Sequence, residues 1–157
     1  MYALFLILHS WLRWGALLAG LLAAITLITS KPPRPGEASP SDRWSLFFLI
    51  ALDLQLVIGL VLYFVASPYM ASIRANFGES MRIASLRFWA VEHVTIMLVA
   101  VVALHLARLL ARKAANPGSR RRRLLIGVSI AVVAMLGGTP WPGSRVSRPL
   151  FRVAVQP

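Results

Sequence analysis

The chain has 157 residues, of which 58% are hydrophobic and only 14% charged, with a net charge of +12 and no cysteine. That composition describes one membrane-embedded unit, not a soluble domain, and the missing cysteines exclude disulfides, iron–sulfur clusters and thiolate metal sites together. The basic residues flank apolar stretches and form no separate aromatic-laced patch, so they fit lipid headgroups and membrane topology and argue against a nucleic-acid partner.

The first apolar stretch, about residues 3–29, is long enough to cross a hydrocarbon core of ~30 Å at ~1.5 Å per residue. It has no basic leader region, its apolar run outlasts that of a signal peptide, and Arg13 lies inside it, so it reads as a retained first helix. Ser30-Lys31-Pro32-Pro33-Arg34-Pro35-Gly36 ends it, because prolines and charges forbid continuation. A second helix is predicted over about 44–66, with Ser41 or Asp42 as its cap and Ser67-Pro68 as its stop. The connection to about Leu86 spaces Met70, Ile73, Phe77, Met81 and Ile83 irregularly around Arg74 and Arg82, which suits a short surface helix or an ordered loop.

A third helix is predicted over about 87–110, ending at Arg112-Lys113. Asn116-Pro117-Gly118-Ser119 reads as a turn. The run Arg120-Arg121-Arg122-Arg123 then reads as a topology anchor on anionic lipid, with an acidic partner protein as the sharper alternative. The fourth stretch, 124–138, is short and needs snorkelling arginines at one end and Trp141 at the other to match a bilayer. Thr139-Pro140-Trp141-Pro142-Gly143 breaks it and leaves a basic tail, 139–157, with Arg145, Arg148 and Arg152. The expected fold is an all-α integral membrane four-helix bundle, one domain over 1–157. Lys31, Arg34, Arg43, Arg108, Arg112, Lys113 and Arg120 to Arg123 outweigh Arg74, Arg82, Arg87, Arg145, Arg148 and Arg152 on the opposite side. This bias places both termini on the outer (periplasmic) side of a multi-pass protein of the bacterial inner membrane.

An ionisable group inside a bilayer costs several kcal/mol unless it is paired, hydrated or ligated. His9, Arg13, Asp53, Glu92, His93 and His105 are therefore the candidate functional residues. His9 and His93 each lie about six residues, roughly 9 Å, below the outer ends of their helices. Two imidazoles at one level on different helices fit axial ligation of a non-covalent b-type haem, since no Cys-x-x-Cys-His motif exists. Structural hydrogen bonding and another metal remain alternatives. Arg13 follows His9 by one turn and can pair with Glu92, or offer its planar fork to a propionate or a quinone carbonyl. Met97, one turn below His93, packs beside the site.

His105 is about twelve residues past His93, which turns it ~120° around the helix, and by depth its partner is Asp53. That pair, with Gln55 or Arg108 nearby, suits proton uptake, a quinone head, or a clamp locking helices two and three. Trp11, Trp14, Trp44, Trp89 and Trp141 read as an aromatic belt, with Trp11 and Trp14 also able to flank a porphyrin. Gly15, Gly20 and Gly59 permit close helix approach.

His9-Ser10-Trp11-Leu12-Arg13-Trp14, Asp53-Leu54-Gln55 with Gly59-Leu60-Val61-Leu62-Tyr63-Phe64, Glu92-His93 and Pro140-Trp141-Pro142 together resemble a family of small four-helix bacterial membrane proteins often labelled cytochrome b-like. The similarity runs over nearly the whole chain. It implies a haem at the outer level through His9 and His93, and none at the inner level, where some members carry a histidine in place of Asp53. The function expected is thus a b-type cytochrome-like electron-transfer subunit with haem b between helices one and three, exchanging electrons with quinol. The alternative is a cofactor-free accessory subunit of a larger respiratory or photosynthetic membrane complex, its basic rims and C-terminal tail docking neighbouring subunits. A transporter is disfavoured by the lack of paired half-structures, and no nucleophile motif, phosphate loop or hydrolytic carboxylate pair suggests a stand-alone enzyme.

Overall fold

The computed structural model describes residues 1–30 and 39–151. The turn expected after Ser30, with Lys31 and Arg34, and the tail arginine Arg152 lie outside them. Every described element is helical: α1 (Tyr2–Thr29), α2 (Pro40–Val61), the short α3 (Pro68–Ala75), α4 (Phe77–Arg82) and α5 (Ala84–Arg87), then α6 (His93–Arg112) and α7 (Pro117–Gly138). Two wider π-helical segments interrupt the pattern. Leu62–Ala66 prolongs α2, and Phe88–Glu92 joins α5 to α6 without a break.

Three of these rods are long and apolar enough to cross a membrane: Tyr2–Thr29, Pro40–Ala66 and Ala84–Arg112. The fourth, α7, is a full 22 residues, but its first turns carry Arg120 to Arg123, so it does not join them by composition. The expectation of four membrane-crossing helices, the fourth of them short, is thus supported for three. Helix α7 lies along α6 and also touches α1, while α2 packs on α1 and touches α6, which closes a ring of four rods.

The core of that ring is built from small residues. Ala16, Ala19, Gly20 and Ala23 are buried on α1, Ala100, Ala107 and Ala111 on α6, and Gly127 and Ala131 on α7. Such stripes let backbones approach closely, which is how helices associate where lipid removes the hydrophobic drive. Phe48, Leu52, Leu104 and Met135 fill what space remains. Gly20 faces Val132 and Phe48, Gly127 faces Ala103 and Ala107, and Gly15 faces nothing.

The helix starts lie earlier than the apolar pattern alone indicates. Ser39 precedes α2 with Pro40 in its first turn, and Asn116 Oδ1 accepts the Ser119 amide 2.8 Å away to cap α7, followed by Pro117. Asn or Ser before Pro is a helix start, not a turn, because proline at the first position loses no hydrogen bond. Polar groups in the spans are satisfied locally: Thr26 and Thr29 donate to the Leu22 and Ile25 carbonyls.

The connection after α2 is the three short helices, held down by Met70 and Ile73 against Ala90. Ser67 caps α3, and Arg74 donates to the Phe64 carbonyl left free at the end of the π segment. At the opposite end of the ring, the arginine run is largely engaged in the fold. Arg120 pairs with Asp42 at 2.6 Å, Arg121 donates to the Ile28 and Ser30 carbonyls, and Arg123 donates to Leu110. Arg108 adds a bond to Ser45 at 2.6 Å. Two of the four arginines, Arg121 and Arg123, thus complete helix ends of their own chain, where the dipole favours cations; Arg120 answers a carboxylate in the first turn of α2, and Arg122 is left exposed.

Candidate functional site

A cavity of about 430 Å³ opens near the start of α1, walled by α1, both π-segment regions, α6 and the end of α7. Its polar lining includes His9, Arg13, Gln55, His93 and Arg148 with the hydroxyl residues Ser10, Ser67 and Thr139; Tyr63, Trp89 and Met97 are among its larger neighbours.

His9 and His93 meet across this space, edge to face, with ring centroids 6.3 Å apart. Phe88 and Trp89 lie against His93 at 5.7 and 5.6 Å. His93 Nδ1 sits 2.8 Å from the Gly138 carbonyl, so it is the protonated nitrogen and Nε2 is left an acceptor. The reason is in the chain: in a continuing helix that carbonyl would accept from residue 142, which is Pro142 and has no N–H. The Pro-Trp-Pro segment therefore frees the oxygen that orients His93.

Gln55 reaches from α2 to the His9 carbonyl, donating from Nε2 at 2.9 Å. This leaves Gln55 Oε1, like His9 Nδ1, buried without a protein partner. Gly59 makes room for the His9 ring, since a Cβ there would stand 3.2 Å from its Cε1. Tyr63, in the first π segment, donates to the carbonyl of Ala90, in the second, at 2.8 Å. That single bond ties the two π segments together at the cavity floor. Tyr63→Phe should lower stability by about 0.5–1.5 kcal/mol, read as an earlier melt of detergent-purified protein, because it removes the hydrogen bond that joins the two segments.

Arg13 does not take Glu92 as its partner. Glu92 is paired with Arg87 at 2.7 Å, while Arg13 donates to the Leu150 carbonyl at 2.8 Å and stacks on Trp14. Trp14 donates to the same carbonyl at 3.0 Å, and Phe151 stacks on Trp14 and touches Trp11. So Trp11 and Trp14 seat the described part of the tail, which folds back on its own chain. Arg148 completes this return by lying over Tyr69 and Trp89.

Asp53 and His105 approach across α2 and α6, with His105 Nε2 2.9 Å from Asp53 Oδ1. They face outward. The two side chains are 44% and 51% exposed, on the outer surface of the ring and away from the cavity.

These placements correct the haem reading. The ligating side chains are distributed in separate pairs (His9 with His93, Asp53 with His105, Glu92 with Arg87). Among the described residues no group of three or more His, Cys, Asp or Glu could hold a metal ion. Haem b, the axial-ligand roles of His9 and His93 and the b-type cytochrome function are set aside on that finding. Comparison with family models, curated proteins and solved structures gives no match, so the resemblance to cytochrome b-like proteins gains no support beyond the shared all-α, multi-span character.

Proposed function

We propose that the chain is an accessory subunit of a larger multi-pass complex in a bacterial inner membrane, with its four rods forming a membrane bundle and both termini on the outer side. The observation that carries this reading is the outward position of Asp53 and His105. Ionisable residues inside a membrane almost always face a bundle interior or a water-filled cavity. Here a hydrogen-bonded carboxylate–imidazole pair lies among exposed Leu54, Val57, Val102 and Leu106. A neighbouring transmembrane helix bearing a polar group would cover it and supply the remaining hydrogen bonds. The absence of a metal-holding cluster among the described residues supports an assembly role over a redox one.

Photo-cross-linking in native membranes tests this. A photoreactive residue at Leu54 or Val102 should give a discrete adduct with another protein, and one at Leu18 or Leu21, on α1, should give far less. Lipid adducts alone at all four positions would remove the basis of the reading.

A further inference from the structure

We infer that the cavity beneath the outer rim binds the ring of a quinol, the hydroxyl-bearing reduced form of a membrane quinone, as a site separate from the docking face.

The argument begins with hydrogen-bond accounting. Gln55 has committed an amide N–H to the His9 carbonyl, and His93 has committed Nδ1–H to the Gly138 carbonyl. Gln55 keeps Oε1, buried and without a protein partner, beside its second amide N–H, and His93 keeps Nε2 as an acceptor. A buried acceptor left unanswered costs about 1–3 kcal/mol, so the site is built for a ligand that donates. A ligand can donate from a cation, a neutral N–H group or a hydroxyl. Arg13 and Arg148 line the same cavity and repel a cation, which leaves the neutral donors, and of these a hydroxyl suits a site with arginines beside the acceptors. The oxygen of a hydroxyl can also accept from an arginine N–H.

Shape narrows the class further. The walls beyond the polar groups are Leu52, Leu56, Tyr63, Trp89 and Met97, which suit a flat apolar ring. At about 430 Å³ the space falls within the ~300–1,000 Å³ usual for small-molecule sites. A hydroquinone carries two hydroxyls at opposite ends of such a ring and a tail soluble in lipid. A glycerol headgroup offers the hydroxyls without the ring.

The test uses full-length protein in nanodiscs, titrated with decylubiquinol while tryptophan emission is followed. Saturable binding at one site per chain is expected. Gln55→Leu and His93→Leu should each weaken it about tenfold or more, the loss of one hydrogen bond to a buried group. Because both variants could perturb folding, the decisive comparison uses the unaltered chain. Decylubiquinone, whose carbonyls only accept, should bind at least tenfold more weakly than decylubiquinol. Equal binding of the two forms, no saturable binding, displacement by phosphatidylglycerol alone, or a purified protein whose cavity already holds a strongly absorbing group would each overturn the assignment.

Discussion

Gly127→Ala should destabilise the isolated protein by about 1–3 kcal/mol, the usual cost of forcing one extra carbon into a packed interface. The new Cβ would fall on the Ala107 side chain and stand 2.9 Å from the Ala103 carbonyl oxygen. The second of these is backbone and cannot rotate away, so α6 and α7 must separate along their most extensive contact. Gly15→Ala and Gly137→Ala are matched controls, since a Cβ at either meets nothing within 4 Å. Both should leave the melting temperature unchanged or slightly raised, because alanine is the better helix former. A melt of Gly127→Ala that overlays the two controls would show that this helix contact is looser than its geometry indicates.

Replacing Asp53 and His105 together by leucine should move stability and assembly in opposite directions. In the isolated chain the double variant exchanges a half-exposed polar pair for apolar surface, and such exchanges are often neutral or stabilising. In the membrane the same variant should lose most of its cross-linked or co-purified partner, because the polar groups that select a neighbouring helix are gone. If partner recovery were unchanged, the pair would be a clamp between α2 and α6 and nothing more. The single variants Asp53→Leu and His105→Leu should each lose the partner too, since either leaves half of the polar surface.

Much of the fold is legible in the chain because long apolar stretches and proline-rich breaks are local signals. The starts of α2 and α7 were legible as well. Ser39-Pro40 and Asn116-Pro117 carry a cap residue followed by a first-turn proline, and weighing hydropathy above capping is what shifts those starts inward. The π segments are another matter. Their wider hydrogen bonding places residues five apart over one another, so Arg87 reaches Glu92, whereas a regular helical count turns the two apart.

The level of His9 and His93 followed from residue counts, but depth does not reveal chemistry. The bonds that define their surroundings run to backbone carbonyls of His9 and Gly138, and one of these depends on the missing N–H of Pro142. No local pattern in the tail announces that Leu150 and Phe151 return to Arg13 and Trp14. Contacts of that sequence separation become visible only once the chain is folded.

The arginines of α7 carry a consequence for how this protein is made. Arg121 and Arg123 find their acceptors on the terminal carbonyls of α1 and α6, and Arg120 finds its own on Asp42. None of those acceptors is in place until the earlier helices have formed. Helix α7 should therefore take its seat last, against a surface already assembled, and removing α1 or α6 should leave it exposed to quality-control proteolysis.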